Sequence, residues 1–125
     1  MTDIKQQQDK KVNRLKRTEV FDEWVKKLKD PVIKGRINKR IKLAEKGNFG
    51  DCKSLDDAEG VCEMRFKKTG HRLYYSQHGK RLYWLLVGGD KDSQQRDIEQ
   101  AISLKRRIDA KAAKMPITNN TGRGF

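Results

Sequence analysis

Apolar residues along the chain recur with two different periods. Between Thr18 and Ala44 the spacing is helical: Phe21, Trp24, Val25 and Leu28 fall at i, i+3, i+4 and i+7, and Ile33, Ile37, Ile41 and Ala44 make a second stripe. Thr18 is placed to cap the first helix. Asp30-Pro31 separates the two, Asp30 as a cap and Pro31 in the first helical position, and Gly47 is the natural stop for the second. Lysines and arginines surround both stripes, so the pair is expected to pack as an antiparallel hairpin with a basic outer surface.

From Cys52 onward the period is two. Cys52 to Leu55 reads as a short strand, Asp56 to Gly60 as a turn, and Val61 to Phe66 as a strand with Cys62, Met64 and Phe66 on one face and Val61, Glu63 and Arg65 on the other. In the next strand Leu73 and Tyr75 face the core, while Arg72, Tyr74 and Ser76 share the face of Arg65. Arg81 to Val87 is the most apolar run and reads as a central strand buried on both faces, ended by Gly88-Gly89. Asp92 then caps a last helix, with Gln95 completing a capping box and Ile98, Ala101, Ile102, Lys105 and Ile108 as its stripe. Val12 to Lys16 suits a short edge strand. The expected domains are a disordered N-terminal extension over 1–12, one domain over 13–112, and a flexible tail over 113–125.

One strand pair carries chemistry. With Lys67-Lys68-Thr69-Gly70 as the hairpin loop, Phe66 faces His71 and Arg65 faces Arg72. Like charges placed opposite each other cost about 0.2–1 kcal/mol. Two guanidiniums held that way suit an anion, because arginine binds phosphate through two parallel hydrogen bonds. A solvated strand face, with Glu63 as a diagonal partner for Arg72, accounts for the same residues without a ligand.

Charge strengthens the ligand reading. The 125 residues carry 30 Lys+Arg against 17 Asp+Glu, a net charge of +13, with a pI near 9.9. Such a chain seeks polyanions, nucleic acid first. There is no apolar run long enough to span a bilayer and no signal peptide at the N-terminus, so the expected compartment is the cytoplasm, with no membrane partner. Cys52 and Cys62 are expected as free, packed thiols there. Two cysteines and two histidines without ligand spacing suggest neither a metal nor a cofactor.

Several segments together resemble a known family. Thr18-Glu-Val-Phe-Asp-Glu-Trp-Val25, Gly47-Asn-Phe-Gly-Asp51, Gly60-Val-Cys-Glu-Met-Arg65, Gly70-His-Arg-Leu-Tyr-Tyr75 and Leu85 to Ile98 look like the RelE/ParE superfamily of bacterial toxins, in its HigB-like, phage-derived branch. The Gly-Gly-Asp-Lys-x-Ser-Gln-Gln stretch at Gly88–Gln95 is its most specific part. The resemblance implies an α+β, RelE-like fold: an N-terminal helical hairpin on a mainly antiparallel sheet of about four to five strands, with a C-terminal helix. It also implies a toxin that cleaves mRNA on the ribosome and is held inactive by a cognate antitoxin, of helix-turn-helix type, in a complex that binds operator DNA.

The implied reaction is metal-independent attack of a ribose 2′-OH on the adjacent phosphate. It needs a base, cations for the transition state and a proton donor for the leaving oxygen. By register, Arg65 and Arg72 fall where the family places cations against the phosphate, and Lys91 where relatives have a basic residue near the leaving group. Lys53 matches another basic position, and Gln94 is a candidate contact to a base or phosphate. Glu63 stands where a relative has lysine and is either the base or a charge partner. The histidine or tyrosine that relatives carry near the C-terminus is absent, with Asp97 close to that place, and His71 points away from the arginines. Tyr74 is a candidate stacking platform, and Lys34, Arg36, Lys39 and Arg40 candidates for phosphate contacts with ribosomal RNA. Two other readings use the same residues: a ParE-like gyrase inhibitor, and a non-catalytic RNA-binding module.

Overall fold

The computed structural model describes residues 10–114. Of the extension expected over 1–12, residues 1–9 lie outside the described residues, as do residues 115–125 of the tail expected over 113–125; residues 113 and 114 belong to the last helix. In order, the elements are β1 (Arg14–Arg17), α1 (Glu19–Lys27), α2 (Pro31–Glu45), β2 (Cys52–Ser54), β3 (Cys62–Phe66), β4 (His71–Gln77), β5 (Leu82–Asp90), a 3-10 turn (Lys91–Ser93) and α3 (Gln94–Lys114).

The expected N-terminal helical hairpin on a mainly antiparallel sheet does not describe this chain. The five strands form one mixed sheet in the order β1-β5-β4-β3-β2. The chain enters as a strand, β1, which pairs parallel with β5 from Arg14 opposite Leu82 to Arg17 opposite Leu85. The helices that follow make a crossover instead of a separate unit: α1 lies against β5, and α2 reaches β1. The architecture is α+β overall. A physical reason is visible in β5. Its apolar run needs a strand on each edge, and β4 occupies only one.

Local signals account for the helix boundaries. The Thr18 hydroxyl accepts from Phe21 N at 3.0 Å and donates to Leu86 O at 2.6 Å, so one residue caps α1 and ties it to β5. Asp30 accepts from Val32 N, Pro31 opens α2, and Gly47 follows with φ +101°. The last helix starts differently. Asp90, not Asp92, is the cap, accepting from Asp92 N and Ser93 N, and α3 begins at Gln94 after one 3-10 turn. The Gln95 side chain turns to Glu99.

Two apolar layers sandwich the sheet. On one side Phe21, Ile37, Ile41 and Ala44 of α1 and α2 pack on Met64, Phe66, Leu73, Tyr75 and Leu85. On the other, Ala101 of α3 packs on Val61, Tyr74, Leu86 and Val87. Each fully buried side chain of this size contributes about 1.5–3 kcal/mol. The strand β5 does not stop at its glycines but runs through Gly88 and Gly89 to Asp90. A Cβ on Gly88 would fall inside the Trp24 indole, and one on Gly89 would fall on the Asp97 carboxylate. Both glycines are there for close approach.

Candidate functional site

The β3–β4 hairpin has the register expected from its loop. Arg65 is opposite Arg72 and Phe66 opposite His71, with Gly70 at φ +79° closing the turn. The alternation of Met64 and Phe66 into the α1/α2 core sends Arg65 and Glu63 to the α3 side of the sheet. At the hairpin end, Arg65, Lys67, Lys68, His71, Arg72, Asp90, Lys91 and Asp92 line a cleft of about 570 Å³. Cations outnumber carboxylates there, so its potential is positive.

Each arginine is partly engaged. Arg65 Nη2 lies 3.3 Å from Asp51 Oδ1, with Lys67 Nζ 3.9 Å from the other carboxylate oxygen. Arg72 donates from Nη1 to Gly70 O at 3.3 Å, and its Nε sits 3.2 Å from Glu63 Oε2. The Nε–H is not aimed well enough to make a hydrogen bond, so the second contact is one of charge. Asp51 therefore relieves the repulsion on one side of the arginine pair and Glu63 on the other.

Of the residues singled out from the sequence, Arg65, Arg72 and Lys91 meet in the cleft. Glu63 does not open onto it. It is 1% exposed, beneath Arg72, and accepts from Gln94 Nε2 at 2.9 Å. The charge-partner alternative matches this placement; a base needs access to a 2′-OH that Glu63 lacks. Gln94 is correspondingly turned inward to Glu63, not toward a ligand. Tyr74 is fully buried in the α3-side core, which corrects its reading as a stacking platform. Its hydroxyl pKa is pushed up by burial first and by the Glu63 charge second. The reason is that the strand face carrying the arginines is covered by α3 from Tyr74 onward, so only the hairpin end of that face meets solvent.

Arg40 also departs from its expected role. Its guanidinium stacks 4.5 Å from the Phe66 ring and donates to the carbonyls of Arg65, Phe49 and Asp51. It fastens α2 to the sheet. Arg36 and Lys39 line a neighbouring cleft with Lys67 and Lys68, which therefore border both. Lys34 is elsewhere, its Nζ on Lys26 O. Lys53 is exposed on β2, opposite Glu63.

Sequence reasoning missed Lys67, Lys68 and Asp51. The lysines were visible as a charged pair in a tight loop. Asp51 carries no spacing signal, since strand pairing alone brings it beside Arg65. His71 lines the cleft although its strand position sends it to the opposite face; its ring packs 6.1 Å from Trp24.

Both cysteines are free, and burial pushes the Cys62 thiol pKa up. Among the described residues no group of histidine, cysteine or carboxylate side chains is arranged to hold a metal, and no helix is long and apolar enough to cross a membrane.

No family model matches the chain, and no solved structure matches it. It is similar to an uncharacterized protein of Haemophilus influenzae, with 43% identity over 95 residues, which is 75% of this chain and 94% of that protein.

Proposed function

We propose that this chain, which belongs to the same family as the Haemophilus influenzae protein, is the toxin of a type II toxin–antitoxin system: a ribosome-dependent endoribonuclease that cuts mRNA and stops translation. The observation that carries this reading is the convergence of Arg65, Arg72 and Lys91 on one open cleft with Lys67 and Lys68 at its rim. The resemblance of Gly88–Gln95 and its companion segments to HigB-like toxins supplies the reaction.

In that reaction a ribose 2′-oxygen attacks the neighbouring phosphorus, its proton leaves, and the 5′-oxygen departs with a proton. Negative charge grows on the phosphoryl oxygens. Fixed guanidiniums stabilise that growth without reorganising, and they act more strongly in a cleft than in bulk water. Arg65 and Arg72 are the phosphate clamp and Lys91 neutralises the leaving oxygen. His71, Asp90 and Asp92 are the titratable groups with access to the cleft; Asp90 is engaged as a cap, which leaves His71 and Asp92 for proton transfer. Arg36 and Lys39, in the adjoining cleft, extend the phosphate-binding surface toward ribosomal RNA. The protein works in the cytoplasm beside its cognate antitoxin.

The test is induction of the wild type and of an Arg65→Ala/Arg72→Ala variant in a bacterial host, with mRNA 5′ ends mapped. Wild type is expected to give cuts in register with codons and arrest of growth, and the variant neither. Arrest with intact mRNA would sink the nuclease.

A further inference from the structure

The buried carboxylate under the cleft has a role distinct from proton transfer. We propose that Glu63 and Gln94 are positioning residues that make Arg72 a one-sided anion donor. The inference rests on the cleft taking a phosphodiester.

The chain of contacts runs inward from the cleft. Arg72 has three nitrogens with which to donate. Nη1 goes to Gly70 O at 3.3 Å, and Nε lies against Glu63 Oε2 at 3.2 Å. Nη2 is left as the nitrogen available to a ligand, and Arg72 lines the cleft. Glu63 holds a single place because it is enclosed. It is 1% exposed, Tyr74 stands opposite it in the strand register, and Gln94 Nε2 donates to the same Oε2 at 2.9 Å. A free arginine rotates among many rotamers, and ordering one on binding costs affinity. Here that cost is met during folding.

The arrangement also explains two facts the proposed reaction leaves over. A carboxyl group buried beside an anion site does not favour the anion, so charge balance alone does not account for its being enclosed and held by Gln94. Drawing the Nε side of the guanidinium inward by charge gives the carboxylate a use that offsets that disadvantage. Gln94, in the first turn of α3, is otherwise well placed to meet a ligand near Lys91, yet it faces away from the cleft. Through it, the start of α3 is tied to the orientation of Arg72.

The charge-conserving variant Glu63→Asp separates positioning from charge, and Gln94→Leu removes the hydrogen bond with no change of charge. Gln94 is half-buried, so its variant tests the idea even where Glu63→Asp does not fold. Binding of a 2′-O-methyl oligoribonucleotide, which cannot be cleaved, is measured for the full chain, with the arginine Nε–H signals followed by NMR. Each variant is expected to bind about fivefold to tenfold more weakly and to shift the Arg72 signal, as loss of the ordered position of one anion-binding side chain would. In the Arg72→Ala background neither is expected to weaken binding further, a coupling that general loosening of the fold does not produce. Wild-type affinity in Glu63→Asp and Gln94→Leu, with a loss confined to Arg72→Ala, would overturn the positioning role and leave the cleft standing. Wild-type affinity in Arg72→Ala would overturn the phosphate cleft, and the positioning role with it.

Discussion

Gly88 and Gly89 show how a single residue type carries two meanings. In the sequence a Gly-Gly pair after an apolar run signals the end of a strand. In the fold the strand continues, and the missing side chains make room for Trp24 on one face and Asp97 on the other. Gly88→Ala is expected to destabilise by about 3 kcal/mol, the upper part of the range for overpacking, in urea denaturation. Adding Trp24→Leu should restore part of that loss, because the clash is with the indole; strictly additive losses would place the strain elsewhere. Most helix caps were legible in the sequence because a cap is a local event: Thr18 and Asp30 act within three residues of themselves. Of the partners of the arginines, Glu63 was legible as a diagonal neighbour of Arg72 in the hairpin register, whereas Asp51 was not, since only the pairing of its own strand end with β3 brings it beside Arg65. Tyr74 was misplaced for the same reason: alternation assigned its face, but not the helix that covers that face.

At the scale of elements, β1 is the instructive case. Its alternating pattern marked it as a strand, yet nothing in four residues encodes a parallel partner 68 positions away, and the sheet was expected to be mainly antiparallel. The far half of α3 has its own attachment. His78, with its side chain 7% exposed, places Nδ1 3.1 Å from Asp109 Oδ1 and Nε2 2.5 Å from Ser76 Oγ, and Asp109 also meets Lys105 Nζ at 2.9 Å. Serine, histidine and carboxylate in this order suggest a nucleophile, but Ser76 is fully buried in the sheet, so the relay is a clamp between β4 and α3. Burial lowers the His78 pKa below its ordinary 6.5, with Lys105 adding to that and Asp109 opposing it. The folded state thus binds a proton less readily than the unfolded chain. Stability contributed here is intact above pH 6.5 and falls as pH drops below it, levelling off once the folded-state pKa is passed. Asp109, whose pKa is lowered chiefly by its hydrogen bond to Lys105, adds a further loss at more acidic pH. Thermal unfolding between pH 7.5 and 5 should show the decline, and His78→Gln should flatten it; an unchanged slope would remove the clamp from the account.

For the whole molecule, charge and shape act together. The net charge of +13 was plain from composition and points to polyanions without saying where they bind. The fold concentrates part of it: Lys67 and Lys68 border both the arginine cleft and the cleft beside Arg36 and Lys39. Binding of single-stranded RNA should therefore depend steeply on salt, with a log–log slope of about −2 to −3 and a loss on the order of thirtyfold from 50 to 200 mM. Lys67→Ala and Lys68→Ala should each reduce that slope by about 0.7, whatever the RNA sequence. A slope near zero would mean that apolar contacts, not phosphates, hold the ligand.

The parallel pairing of β1 with β5 has a consequence for how the protein is born. Synthesis delivers β1 early, but the strand it pairs with among the described residues is made much later, after both helices, β2, β3 and β4 have been threaded out. Until then β1 has no ladder to join, and Lys91, which follows β5 directly, has not taken its place beside Arg65 and Arg72. Long-range closure of this kind is slow and comes last. A nascent chain thus carries both arginines well before it carries the cleft, which is complete only when β5 has emerged and Lys91 stands beside them.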